Sequence, residues 1–142
     1  MQQRVLVTGA SGKTGRACVD ALLARGATTR GFVRREEAAD ALRARGAEAA
    51  LGDLFDRDAL ARALEGVTCA LHICPPMHPQ EDELAATVID LCKAQGVGRL
   101  VLYSVMHPHA DVPHHRRKLK AETTLIESGL PFTILQPCRY MH

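Results

Sequence analysis

Two hydrophobic periods alternate along almost the whole chain. Short runs of strand character, Arg4–Thr8, Thr28–Val33, Ala47–Leu51, Thr68–Ile73, Arg99–Ser104 and Pro131–Leu135, take turns with segments of helical period. The helical segments are Thr14–Arg25, Glu36–Arg45, Arg57–Leu64, a stretch from about Glu81 to Ala94, and His114–Glu127. In the first helix Ala17, Ala21 and Leu22 share a face; in the fourth, Leu84, Val88, Leu91 and Cys92 recur at helical spacing. Glycines punctuate the ends, with Gly26, Gly46, Gly66, Gly96 and Gly129 each closing a helix. The second helix starts acidic and ends basic, as its macrodipole favours. Asp56 is placed to cap the third. Pro75-Pro76 breaks the chain after the fourth strand, and a polar loop rich in His and Pro runs up to Pro113. No repeat, low-complexity tract or interdomain linker interrupts the series, so residues 1–142 read as one domain. Strand–helix alternation with short connections predicts an α/β fold, a parallel sheet with helices on both faces.

The first connection carries chemistry. Val5-Leu6-Val7-Thr8 runs straight into Gly9-Ala10-Ser11-Gly12-Lys13-Thr14-Gly15, a GxxGxxG turn between a strand and a helix. Gly9 lets the chain leave the strand sharply, Gly12 lets a ligand approach the backbone, and Gly15 lets the helix lie close on the sheet. Backbone amides and the positive end of the helix then face one place, which suits a pyrophosphate. Ser11, Lys13 and Thr14 belong to the same candidate cradle. This turn after strand one predicts a Rossmann-type, doubly wound sheet in the order 3-2-1-4-5-6, with a dinucleotide lying across the carboxyl ends of strands one and four.

Composition narrows the setting. The chain is 46% hydrophobic and 24% charged, with a net charge of +2. Such a balance argues against nucleic acid and against an anionic membrane as partners, although Arg34-Arg35 and Arg116-Arg117-Lys118 make local basic spots. No secretory signal is evident, and no run reaches the ~18 apolar residues of a membrane span. Cys18, Cys69, Cys74, Cys92 and Cys138 are odd in number, irregular in spacing and form no CxxC. Reduced thiols in a cytoplasmic protein are the expectation. His107, His109, His114 and His115 lack the spacing of a metal site.

Side chains at strand ends sort the cofactor. Where strand two ends, an acid would hold the adenosine ribose and a base would hold a 2′-phosphate. Arg34 stands there, so NADP is favoured over NAD, with Lys13 available as a second positive charge. After strand three, the Asp53 carboxylate suits the adenine amino group, and Leu54 suits its ring face. Cys74 and Pro75, at the end of strand four, are expected beside the nicotinamide ribose. Cys74 reads as either a packed or a redox-sensitive thiol, without a basic sequence neighbour. Ser104 closes strand five, where it could bond a carbonyl substrate or the nicotinamide ribose. Tyr103 alternates with it and is expected on the opposite face of the sheet.

Taken together, Val7–Gly15, Val33-Arg34, Gly52-Asp53-Leu54, His114-xxx-Lys118-xxx-Glu122-xx-Leu125 and Ser128–Pro137 resemble the atypical short-chain dehydrogenase/reductase proteins, and among them the NmrA-like group. The resemblance covers essentially the whole chain. It implies a Rossmann domain that binds NAD(P), with Pro137 and Cys138 approaching the nicotinamide carboxamide. In the wider family a Tyr-x-x-x-Lys pair holds the ribose and donates a proton. Here Lys118 fits the lysine slot and His114 the tyrosine slot. The missing tyrosine counts against a sugar-nucleotide epimerase or dehydratase. Two outcomes are implied. One is hydride transfer from NADPH to a small carbonyl or quinone, assisted by Ser104, His114 and Lys118. The other is a non-catalytic, NADP(H)-sensing regulator that binds a protein partner. Relatives carry a C-terminal extension over the substrate cleft, and this sequence reaches only to Arg139-Tyr140-Met141-His142 past strand six. The substrate extension is therefore expected to be largely absent. Strand six would then be an exposed edge, open to a partner or a homodimer.

Overall fold

The computed structural model describes residues 2–138. Five helices and six strands follow one another as β1 (Arg4–Thr8), α1 (Lys13–Ala24), β2 (Thr28–Val33), α2 (Glu36–Ala44), β3 (Glu48–Leu51), α3 (Arg57–Ala63), β4 (Cys69–His72), α4 (Glu81–Ala94), β5 (Arg99–Tyr103), α5 (Pro113–Glu127) and β6 (Phe132–Leu135). All strands are parallel, in the order β3-β2-β1-β4-β5-β6. The chain reverses its direction of winding between β1 and β4, so a crevice opens at their carboxyl ends. The terminal residues Arg139, Tyr140, Met141 and His142 lie outside the described residues.

Alternation along each strand divides the core in two. Val5 and Val7 of β1, Val33 of β2 and Leu71 of β4 pack against Val19, Ala39 and Leu42 of α1 and α2. Leu6, Phe32, Ala70, Leu100 and Leu102 face the other way, onto Leu60, Val88, Cys92 and Leu125 of α3, α4 and α5. Each of these elements matches the sequence expectation to within a residue at each end. The face of α1 differs: Gly15 and Val19 are buried and Cys18, Leu22 and Leu23 half-buried, while Ala17 and Ala21 are exposed. Gly15 sets that rotation, because only a residue without Cβ can touch β1's exit turn. An added Cβ there would stand 2.0 Å from the Gly9 carbonyl oxygen. Pro113 opens α5 at a position where its missing N–H costs nothing. The Asp56 side chain caps α3 by accepting from the Ala59 amide at 3.0 Å, as its sequence position predicts.

Candidate functional site

A cleft of about 1250 Å³ runs along the carboxyl ends of the strands. Every residue that the sequence offers as a cofactor-binding or catalytic candidate lines it: Gly9, Ser11, Gly12, Lys13, Thr14 and Gly15 at the turn, Arg34, Asp53 and Leu54 at one end, and Cys74, Pro75, Ser104, His114, Lys118 and Pro137 at the other. Segments from opposite ends of the chain, Gly9 and Pro137 among them, meet because parallel strands all end on the same side.

The glycine turn is built from two different demands. Gly9 has φ 63°, and an added Cβ would stand 2.8 Å from the Ile73 carbonyl oxygen, so both conformation and space require glycine. Gly12 is different. An added Cβ there would meet only Gly9 O at 3.5 Å, an ordinary contact. The fold does not need glycine at this exposed position, whereas a ligand lying against the backbone does. The Gly12 amide itself donates to Gly9 O at 3.2 Å, which tightens the turn. Gly12 is also the N-cap of α1 and offers no side chain to cap it, so the helix end opens directly on the cleft.

At the adenosine end, Arg34 follows β2 and is exposed at the cleft wall. Asp53 accepts from the Phe55 amide at 2.9 Å through Oδ1, so it shapes its own turn while lining the cleft. Leu54 packs against the core and presents a partly exposed apolar face. A carboxylate, an aliphatic face and a guanidinium around one end of an elongated cleft, with an open Gly12 at its middle, fit a dinucleotide.

The opposite end is polar underneath. Ser104 donates its hydroxyl hydrogen to Glu122 Oε1 at 2.5 Å, and Gln136 Nε2 donates to the same carboxylate at 3.1 Å. The serine proton is thus turned inward, so its oxygen is better placed to accept from a ribose hydroxyl than to donate to a carbonyl. Lys118 is 7% exposed, donates to the Tyr103 carbonyl oxygen at 3.1 Å, and forms an ion pair with Glu81 Oε1. Two of its three donors are engaged, which leaves one for the cleft. Tyr103 packs with the α1–α2 side of the sheet, opposite Ser104, as alternation predicts. His114 Nδ1 stands 3.7 Å from Glu81 Oε2. Burial holds this imidazole below the ordinary histidine range. Glu81 pulls the other way, while Lys118, His115 and Arg117 reinforce the lowering.

Cys74 is a packed thiol: burial, reinforced by Glu81 and offset by Lys118, pushes it up to about 12. Of its two sequence readings, the redox-sensitive one is therefore disfavoured, since a thiol without thiolate character is a poor nucleophile.

Sequence reasoning missed the polar layer below the cleft. Glu81 reads in sequence as one of three first-turn acids of α4, yet it is 2% exposed and joined to α5. His72 reads as a strand residue among apolar neighbours. Its Nδ1 lies 2.8 Å from Thr8 Oγ1, its Nε2 is buried without a partner, and burial, aided by Lys118, lowers it to about 3.

A family model described as NAD(P)H-binding matches residues 9–142. A (4-alkanoyl-5-oxo-2,5-dihydrofuran-3-yl)methyl phosphate reductase of Streptomyces griseus is 36% identical over 141 residues, covering 96% of this chain and 48% of that protein. Among solved structures, an NADPH-dependent quinone oxidoreductase of Escherichia coli complexed with NADPH superposes with a TM-score of 0.85 at 28% identity, over 93% of this chain and 48% of that one. A Citrobacter triphenylmethane reductase complexed with NADP(H) gives 0.87 at 26% identity, over 97% and 50%. The chain thus spans about half the length of these relatives. With the matching turn, sheet order and cleft in place, the chain belongs to the NAD(P)H-binding domain family, with its structural neighbours in the atypical short-chain dehydrogenase/reductase, NmrA-like group.

Proposed function

We propose that this chain is the cofactor-binding part of an NADPH-dependent reductase that transfers hydride to a small carbonyl or quinone. The observation that carries this reading is the single cleft, across the carboxyl ends of the strands, that the glycine turn, Arg34 and Lys118 all line. When bound, the nicotinamide supplies the hydride. Gly9–Gly15 would take the pyrophosphate, Arg34 and Lys13 the 2′-phosphate, Asp53 and Leu54 the adenine. Ser104 and the remaining donor of Lys118 would take the nicotinamide ribose, with Cys74, Pro75 and Pro137 along the ring's edge. His114, which lines the same cleft, is the candidate for moving a proton to the acceptor oxygen.

The reductases named above favour turnover over a purely sensing role. A small-molecule acceptor is accordingly proposed in place of a regulatory protein partner. The exposed edge at β6, with Phe132 and Leu135 open to solvent, would suit a homodimer contact. Among the described residues no helix is long and apolar enough to cross a membrane. The five cysteines are free thiols, which suits a reducing cytoplasm.

Titrating the protein with NADPH and NADH, then following absorbance at the reduced nicotinamide band with a panel of quinones and aldehydes, tests the reading. Tight NADPH binding with acceptor-dependent oxidation is expected. Binding without oxidation of NADPH by any acceptor would defeat the reductase assignment, and absence of binding would defeat the cofactor assignment as well.

A further inference from the structure

Behind the cleft stands a carboxylate that the cofactor reading does not use. Glu81 opens α4, is 2% exposed and does not line the cleft, yet both its oxygens face cleft-lining side chains of α5. Oε1 holds Lys118. Oε2 has no hydrogen-bond partner, and neither has His114 Nδ1; both atoms are buried, 3.7 Å apart. A structural ion pair with Lys118 needs only one carboxylate oxygen. It leaves two buried and complementary atoms unsatisfied, which is costly unless they meet. A shift of the imidazole of under 1 Å, on the order of the gap between 3.7 Å and hydrogen-bond distance, would let Nδ1–H donate to Oε2 and satisfy both at once.

We infer that Glu81 is a positioning residue for His114, turning Nδ1 inward onto its carboxylate so that Nε2 faces the acceptor as proton donor. The inference rests on the reductase reading above. In that reaction the electron pair arrives as hydride. The proton leaves Nε2 for the acceptor oxygen, the imidazolium becomes neutral, and water restores it. Charge supports the pairing. From α5, Lys118, His115 and Arg117 all face the ring as cations or potential cations, and their influence opposes a protonated His114. From α4, Glu81 is the group that favours it. A histidine meant to give up a proton in this basic corner needs that carboxylate to hold the proton beforehand.

Nuclear magnetic resonance of ring-labelled His114, without cofactor, tests the pair directly. In the wild type the neutral ring should carry its proton on Nδ1. Glu81→Gln should lower the titration midpoint of His114 by about one pH unit or more and shift the proton toward Nε2. Glu81→Asp should restore part of both, and Glu83→Gln, on the exposed side of the same turn, should change neither. An unmoved midpoint in Glu81→Gln, or a wild-type neutral ring protonated on Nε2, overturns the inference; the latter measurement needs no variant to fold. With NADPH and a soluble naphthoquinone, kcat should fall as pH rises through the His114 midpoint. Glu81→Gln should move that limb to lower pH and reduce kcat at pH 7 about tenfold. In a His114→Gln background, Glu81→Gln should cost little further kcat, its effect on Lys118 appearing instead in the KM for NADPH. Fully additive losses in kcat would also overturn it. Should no acceptor be reduced by the wild type, the reductase reading fails, and the ring titration still decides whether Glu81 orients His114.

Discussion

In the proposed function, Arg34 is the residue on which the choice of NADPH over NADH would turn. It is exposed at the cleft wall, directly beyond the end of β2, where a basic side chain stands in place of an acidic one. Arg34→Glu should weaken NADPH by roughly tenfold or more while leaving NADH nearly unchanged, because a carboxylate repels the 2′-phosphate and accepts from the free ribose. Isothermal titration with both dinucleotides checks this, and equal losses would remove the phosphate contact. His72 makes a prediction of another kind. Its imidazole is buried neutral, lowered from 6.5 to about 3. Above pH 6.5 it is neutral folded or unfolded and contributes no pH dependence. As pH falls below that value the unfolded chain takes up a proton that the folded one refuses, so stability declines, by about 1.4 kcal/mol per pH unit for one such group. Urea denaturation between pH 6.5 and 4 should show a shallower decline in His72→Gln than in the wild type, by the equivalent of about one proton.

In the exit turn of β1, folding and the proposed binding are expected to rest on different glycines. Gly15→Ala places a methyl 2.0 Å from Gly9 O and must push α1 off the sheet. A loss of at least about 1–3 kcal/mol is expected by chemical denaturation. Gly12→Val meets only an ordinary contact within the protein. It should unfold near the wild-type temperature yet lose dinucleotide affinity, since its side chain occupies the approach to the turn. Equal melting temperatures for the wild type and both variants would contradict this division of labour. The helix boundaries were legible to within a residue because caps and glycines mark them locally, as Asp56 does for α3. The buried face of α1 was not legible, because Ala17 and Ala21 are apolar enough to read as core. The contact of Gly15 with Gly9, which turns them outward, is a tertiary event.

For the whole molecule, the question is whether a chain half as long as its relatives holds a cofactor unaided. The cleft residues proposed for the dinucleotide all lie within residues 9–137, on one continuous sheet with a core on each face. NADPH at about a hundred times its Kd should therefore add about 2.7 kcal/mol and raise the melting temperature by roughly 5–10 °C. Differential scanning calorimetry reads this directly, and an unchanged transition would show that the cleft of this chain does not hold the dinucleotide by itself.

Hydrophobic period, turn glycines and a strand-end arginine are local signals. They determined the alternation of elements, the winding order and the residues that line the cleft, since parallel strands deliver all their carboxyl ends to one side. What the side chains do there was decided only by tertiary packing. His114 and Lys118 share a face of α5 by helical period, but Glu81 reaches them from α4, and no local period links it to partners so far along the chain. Ser104 turns its proton toward Glu122, and His72 loses its charge, because burial removes water and leaves each polar atom to the partners that the fold supplies.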